Sequence, residues 1–125
     1  MTAQIIKRGP LFDGRAAAAM RQYIPAMVDE VGQAAESLVR DETGVFKNPT
    51  GHYASQITWD RSSPTYGMVT DHNAIYGPWL EGVGSRNATT RFKGYHLWRK
   101  GYQQAERVAD RIAERLMGRY VRRMN

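Results

Sequence analysis

The stretch Gly51–Thr70, GHYASQITWDRSSPTYGMVT, is where the chain leaves helical spacing for alternation. Tyr53, Ser55, Ile57 and Trp59 recur at every second position, Asp60-Arg61-Ser62-Ser63-Pro64 interrupts them, and Tyr66, Met68 and Val69-Thr70 resume. This pattern predicts a β-hairpin with strands of about 53–59 and 65–71 and a loop of about five residues. An isolated hairpin is marginal in water, so its apolar face must be covered by the flanking segments or by a partner's strand.

Both flanks read as helices. From Asp13 onward Met20, Ile24, Met27/Val28, Val31, Ala34/Ala35 and Leu38/Val39 recur at three- and four-residue spacing, which predicts an amphipathic helix over 13–43. Asp13 fits an N-cap and Thr43-Gly44 a stop, while Pro25 removes a backbone donor and should kink or divide the helix there, giving two collinear segments in place of one straight rod. Residues 1–12, with Ile5-Ile6 and then Gly9-Pro10, read as a loose arm or edge strand, and Asn48-Pro49-Thr50-Gly51 reads as a turn. After the hairpin, Asn73–Gly84 predicts one helical turn between flexible joints, and polar Ser85–Thr90 predicts an exposed loop. Leu97, Ala105, Val108/Ala109, Ile112, Leu116, Tyr120 and Met124 then mark a second long helix over 95–123, weakened only by Gly101 and Gly118. The expected architecture is a single α+β domain: long helix, hairpin, short helical turn, long helix.

Composition narrows the chemistry. The 125 residues are 42% hydrophobic and 24% charged, as in ordinary globular domains, and the absence of cysteine excludes disulfides, thiol nucleophiles and cysteine-ligated metal. The longest apolar run, Ala16–Met20, is far short of the ~20 residues that cross a bilayer, and the first residues lack a signal-peptide core, so no membrane partner and a cytoplasm-like setting are expected.

The net charge of +6 is unevenly placed: residues 91–125 hold ten Lys/Arg against three acids, a local +7, and the first ninety residues sum to −1. Arg107, Arg111, Arg115, Arg119, Arg122 and Arg123 recur every three or four residues along the second helix, a stripe suited to DNA phosphate or to acidic side chains of a neighbouring subunit. Arg107–Asp110 and Arg111–Glu114 are candidate i,i+3 pairs, and beyond Glu114 no acid remains. The aromatic set Tyr53, Trp59, Tyr66, Tyr76, Trp79, Phe92, Tyr95 and Trp98 exceeds what so small a core needs, and part of it is expected to face a partner.

Catalytic signatures are missing. His52, His72 and His96 show no spacing that puts two metal ligands on one helix face. Ser55, His72 and Asp60 make a hydrolase triad only on paper, without a nucleophile elbow, and Gly77, Gly82 and Gly84 fit turns better than a dinucleotide fingerprint. The carboxylate pairs Asp29-Glu30 and Asp41-Glu42 lie on a solvated helix face with nothing to raise a pKa. The expectation is a protein with no cofactor, no metal and no turnover.

The segment Asn73-Ala74-Ile75-Tyr76-Gly77-Pro78-Trp79-Leu80-Glu81-Gly82-Val83-Gly84 resembles a motif of the head–tail joining proteins, the neck or tail-completion family, of long-tailed bacteriophages and prophages. The order of elements over about 13–123, including Val69-Thr70 and Arg91-Phe92, is similar as well, although Gly77-Pro78 and the polar 85–90 stretch depart from the family pattern. The resemblance implies a virion component that assembles as a ring, commonly hexameric, around the DNA channel, with adjacent head–tail connector and tail proteins and passing double-stranded DNA as partners. It implies that Tyr76, Trp79, Leu80 and Glu81 form a folded turn seating the 82–92 loop, and that these residues with Arg86, Arg91 and Phe92 make the interface. The alternative from charge alone is a small basic nucleic-acid-binding module acting through the C-terminal arginines.

Overall fold

A computed structural model of the chain describes residues 14–46 and 50–124. The expected arm over 1–12, the Asp13 cap and the Asn48-Pro49 part of the turn lie outside the described residues. Helix α1 spans Arg15–Glu42 and continues as a short 3-10 turn, Thr43–Val45; α2 is His52–Gln56. Strands β1 (Thr58–Ser63) and β2 (Tyr66–Thr70) follow, then the short helices α3 (Gly77–Glu81) and α4 (Ser85–Thr89), then α5 (Leu97–Met124). The α+β architecture is as the periodicity predicts.

Helices α1 and α5 pack antiparallel, because Tyr23 meets Leu116 and Tyr120 near one end while Val39 meets Leu97 and Gly101 near the other. Two hydrophobic clusters sit along this pair. The first centres on Tyr23, Ile112, Leu116 and Tyr120, with the Tyr23 and Tyr120 rings edge to face at 5.9 Å. The second centres on Val39, Tyr53, Ile57 and Leu97 and gathers Phe46, Val69, Leu80, Tyr95 and Trp98 around them. Each fully buried aliphatic side chain contributes about 1.5–3 kcal/mol.

Three expectations need correction. The helix is not divided at Pro25: α1 runs unbroken through it, because the apolar face on both sides packs against α5 and outweighs one lost backbone bond. The alternating set Tyr53, Ser55, Ile57, Trp59 is not one strand. Residues 52–56 form α2, whose C-terminal carbonyls at Ala54 and Ile57 accept hydrogen bonds from the Arg40 guanidinium of α1. The hairpin lies later, with Thr58 opposite Thr70 and Arg61 opposite Gly67; the five residues read as its loop mostly belong to β1, and a bulge at Ser62 leads into a tight turn at Pro64-Thr65.

Trp59 fixes the hairpin to α1. A Cβ on Gly32 or on cross-strand neighbour Gly67 would overlap the indole, so the ring lies between two bare backbones, and its Nε1 donates to Asp29 Oδ1 at 3.0 Å. Only glycine at both positions permits so close an approach.

Candidate interaction surfaces

The motif region folds as a small platform under the N-terminus of α5. Pro78 in the first turn starts α3, and Gly82, with φ of 98°, ends it. The backbone N–H groups of Gly82, Val83 and Gly84 all point at the Pro78 carbonyl, at 3.0–3.1 Å. Gly94, φ 94°, lies against Gly82 so tightly that a Cβ on Gly94 would overlap the Gly82 backbone. This juxtaposition aligns the Tyr95 N–H with the Leu80 carbonyl at 2.6 Å.

Glu81 bridges the platform to α5. Its two carboxylate oxygens accept from the backbone N–H groups of Trp98 (2.8 Å) and Arg99 (3.1 Å), satisfying two of the helix's four orphan donors with a charge that favours the dipole. Asn87 does comparable work inside the platform and is only 3% exposed. Its Oδ1 accepts from Gly84 N, and its Nδ2 donates to the carbonyls of Trp79 and Phe92, all within 3.1 Å. The predicted exposed loop over 85–90 is therefore α4, pinned by a buried side chain. Sequence reading missed Asn87 because a polar run with no large apolar residue carries no burial signal; Gly84 three residues before it was the available hint of a cap.

The seven residues expected at the interface divide into two groups. Leu80 enters the second core cluster, Glu81 caps α5, and Trp79 stacks on Phe92 (4.8 Å), which in turn meets Tyr95 (4.9 Å). These four hold the domain together. Tyr76, Arg86 and Arg91 face outward, and the first two border a concave surface with Ile75, Pro78 and Trp79. Ile75 is 91% exposed and Val83 75%, so the platform shows solvent two large aliphatic side chains that its own fold does not use.

Behind the platform lies a polar chain, with Trp98 Nε1 donating to the Tyr53 hydroxyl (2.9 Å) and that hydroxyl donating to Asp71 Oδ2 (2.7 Å). Burial, with a smaller contribution from Asp71, raises the Tyr53 hydroxyl well above the usual tyrosine range. Gly77 makes room for this carboxylate, since a Cβ there would overlap Asp71 Oδ2.

A second surface is an apolar groove of about 630 Å³ between α1, α5 and the hairpin. Its walls include Val28, Ala35, Trp59, Ala105 and Ala109 together with the exposed rings of Tyr66 and Tyr102.

The arginine stripe does not keep to one side of α5. A strict four-residue step overshoots the 3.6-residue turn by about 40°, so from Arg107 to Arg123 the row rotates by about 160°. Arg107 and Arg111 thus point to solvent, whereas Arg115 reaches Glu30 of α1, and Arg123 reaches Gln22 Oε1 at 3.1 Å with its guanidinium 4.5 Å from the Tyr120 ring. Arg119 and Arg122 are exposed. The expected i,i+3 pairs Arg107–Asp110 and Arg111–Glu114 are not among the ion pairs of the described residues; there the acid that meets the stripe is Glu30, across the helix pair.

Ser55, His72 and Asp60 are not brought together as a triad. Ser55 donates to the His52 carbonyl, while Thr58 Oγ1 lies 2.7 Å from His72 Nε2, and Asp60 approaches the same ring nitrogen at 4.0 Å. A relay needs the carboxylate on the opposite nitrogen, and this cluster lies exposed on the open hairpin. Among the described residues no group of three or more His, Asp or Glu is placed to hold a metal ion, and no helix is long and apolar enough to cross a membrane. No known family model, curated protein or solved structure matches the chain.

Proposed function

We propose that this chain is a structural virion protein of a tailed phage, acting at the head–tail connector as a neck or tail-completion component and assembling without catalysis into a ring, expected to be hexameric. The observation that carries the reading is the platform: a rigid, glycine-locked turn, built from the residues that carry the family resemblance, presents Ile75, Tyr76 and Val83 outward. A protein that acted alone would gain nothing from fixing large apolar side chains in water. The groove beside Tyr66 and Tyr102 is a second apolar surface made of different residues. Two unlike surfaces on one subunit are what a heterologous, ring-closing contact requires.

Light scattering on the purified chain is expected to find a closed oligomer of about six copies, consistent with cyclic closure. Ile75→Asp with Val83→Asp should yield monomers with unchanged circular dichroism, because neither side chain supports the fold. Immunogold imaging should place the protein at the junction of head and tail in particles from an induced lysogen. A chain that stays monomeric at every concentration and is absent from particles would refute the reading.

A further inference from the structure

Antiparallel packing of α1 and α5 brings together charges that are a hundred residues apart in sequence. The described segments 14–25 and 115–124 form one end of the helix pair and contain six arginines, Arg15, Arg21, Arg115, Arg119, Arg122 and Arg123, and no acidic residue. Arg115 and Arg123 are engaged by α1, through Glu30 and Gln22. Arg21, Arg119 and Arg122 are exposed, and no ion pair among the described residues uses them.

We propose that this arginine end binds the phosphate backbone of double-stranded DNA without sequence preference. Three properties select that partner. A docking site for a protein is expected to have an apolar or aromatic centre, and among the described side chains of the two segments the one exposed large apolar residue is Val121, at 41%, whereas the aromatic and aliphatic surfaces lie on the platform and beside the groove. Single-stranded nucleic acid is held by stacking on exposed rings, but Tyr120 is 8% exposed and covered by the Arg123 guanidinium. Duplex DNA needs neither: it presents one negative charge per about 1.7 Å of axis, and closely spaced exposed guanidinium groups on a helix pair suit so dense a line of phosphates. The inference stands on charge and burial at this end and is independent of the connector assignment.

The test is fluorescence anisotropy of a labelled mixed-sequence duplex with the full-length chain, at 50 to 200 mM salt. Binding is expected to weaken roughly 60- to 1,000-fold over that range, a log–log slope of about −3 to −5. Arg119→Ala with Arg122→Ala should lower affinity at least tenfold and flatten the slope by about 2. The equally charged variant Arg99→Ala with Lys100→Ala, at the far end of α5, should stay within about threefold of the parent. Circular dichroism checks that each variant is folded. The proposal is overturned by no binding at 50 mM salt, by equal losses in the two double variants, or by poly-glutamate displacing the duplex as well as unlabelled DNA does, which would mark an acidic protein as the partner.

Discussion

Glu81 and Asn87 show how single side chains organise the platform. Removing the Glu81 carboxylate in Glu81→Ala leaves two N–H groups of α5 without acceptors, and chemical denaturation should record a loss of about 1–2 kcal/mol. Glu81→Gln keeps an acceptor but no charge and should recover part of it. Asn87→Asp is expected to cost more than its near-identical shape suggests, about 2–4 kcal/mol at neutral pH, because a carboxylate would face the Trp79 and Phe92 carbonyls that now receive N–H donors. Tyr53 makes a pH prediction. Its hydroxyl is held above the ordinary value near 10, so the folded state keeps a proton that the unfolded chain releases; the stability this contributes is complete below pH 10 and falls as pH rises beyond it. Denaturation midpoints measured from pH 9 to 11 should drop more steeply for the parent than for Tyr53→Phe, which has nothing to titrate there.

Among the elements, the hairpin depends most on its docking. Gly32→Ala should raise helix propensity by up to about 1 kcal/mol, yet its methyl meets the Trp59 indole, so a net loss of about 1–3 kcal/mol is expected. In a Trp59→Ala background the same change should become stabilising. That reversal in a double-mutant cycle would distinguish ring contact from a general intolerance of alanine. The hairpin also shows where reading by period runs out. Alternation at 53–59 was real, but Tyr53 and Ile57 are also four residues apart, and that spacing is what α2 and its exit use to bury both. Short apolar runs fit both periods, and the Arg40 bonds to Ala54 and Ile57 that favour the helical choice come from another element.

Across the whole molecule, charge is organised by the helix pair. Because the described segments at one end collect arginines without acids, self-repulsion should be relieved by screening: the melting temperature of the free chain should rise by a few degrees between 20 and 300 mM salt. Arg119→Ala with Arg122→Ala should reduce that dependence. By itself the sequence determined the two long helices, since a sustained 3.6-residue period over some 28 positions admits one apolar face, and it determined that a hairpin and a glycine-punctuated turn lie between them. Through the resemblance it marked Glu81 as part of a folded turn, but its role as the cap of α5 came only from the structure. Only the tertiary structure decided the hairpin's register, which depends on Trp59 finding bare backbone at Gly32 and Gly67. Only it decided which residues of the platform turn inward, because burial at 87 follows from the way the chain folds Trp79 and Phe92 around the Asn87 amide, which no period encodes. And only it set Arg115 against Glu30 and Arg123 against Gln22, since such pairing is a property of antiparallel packing and no local spacing encodes it.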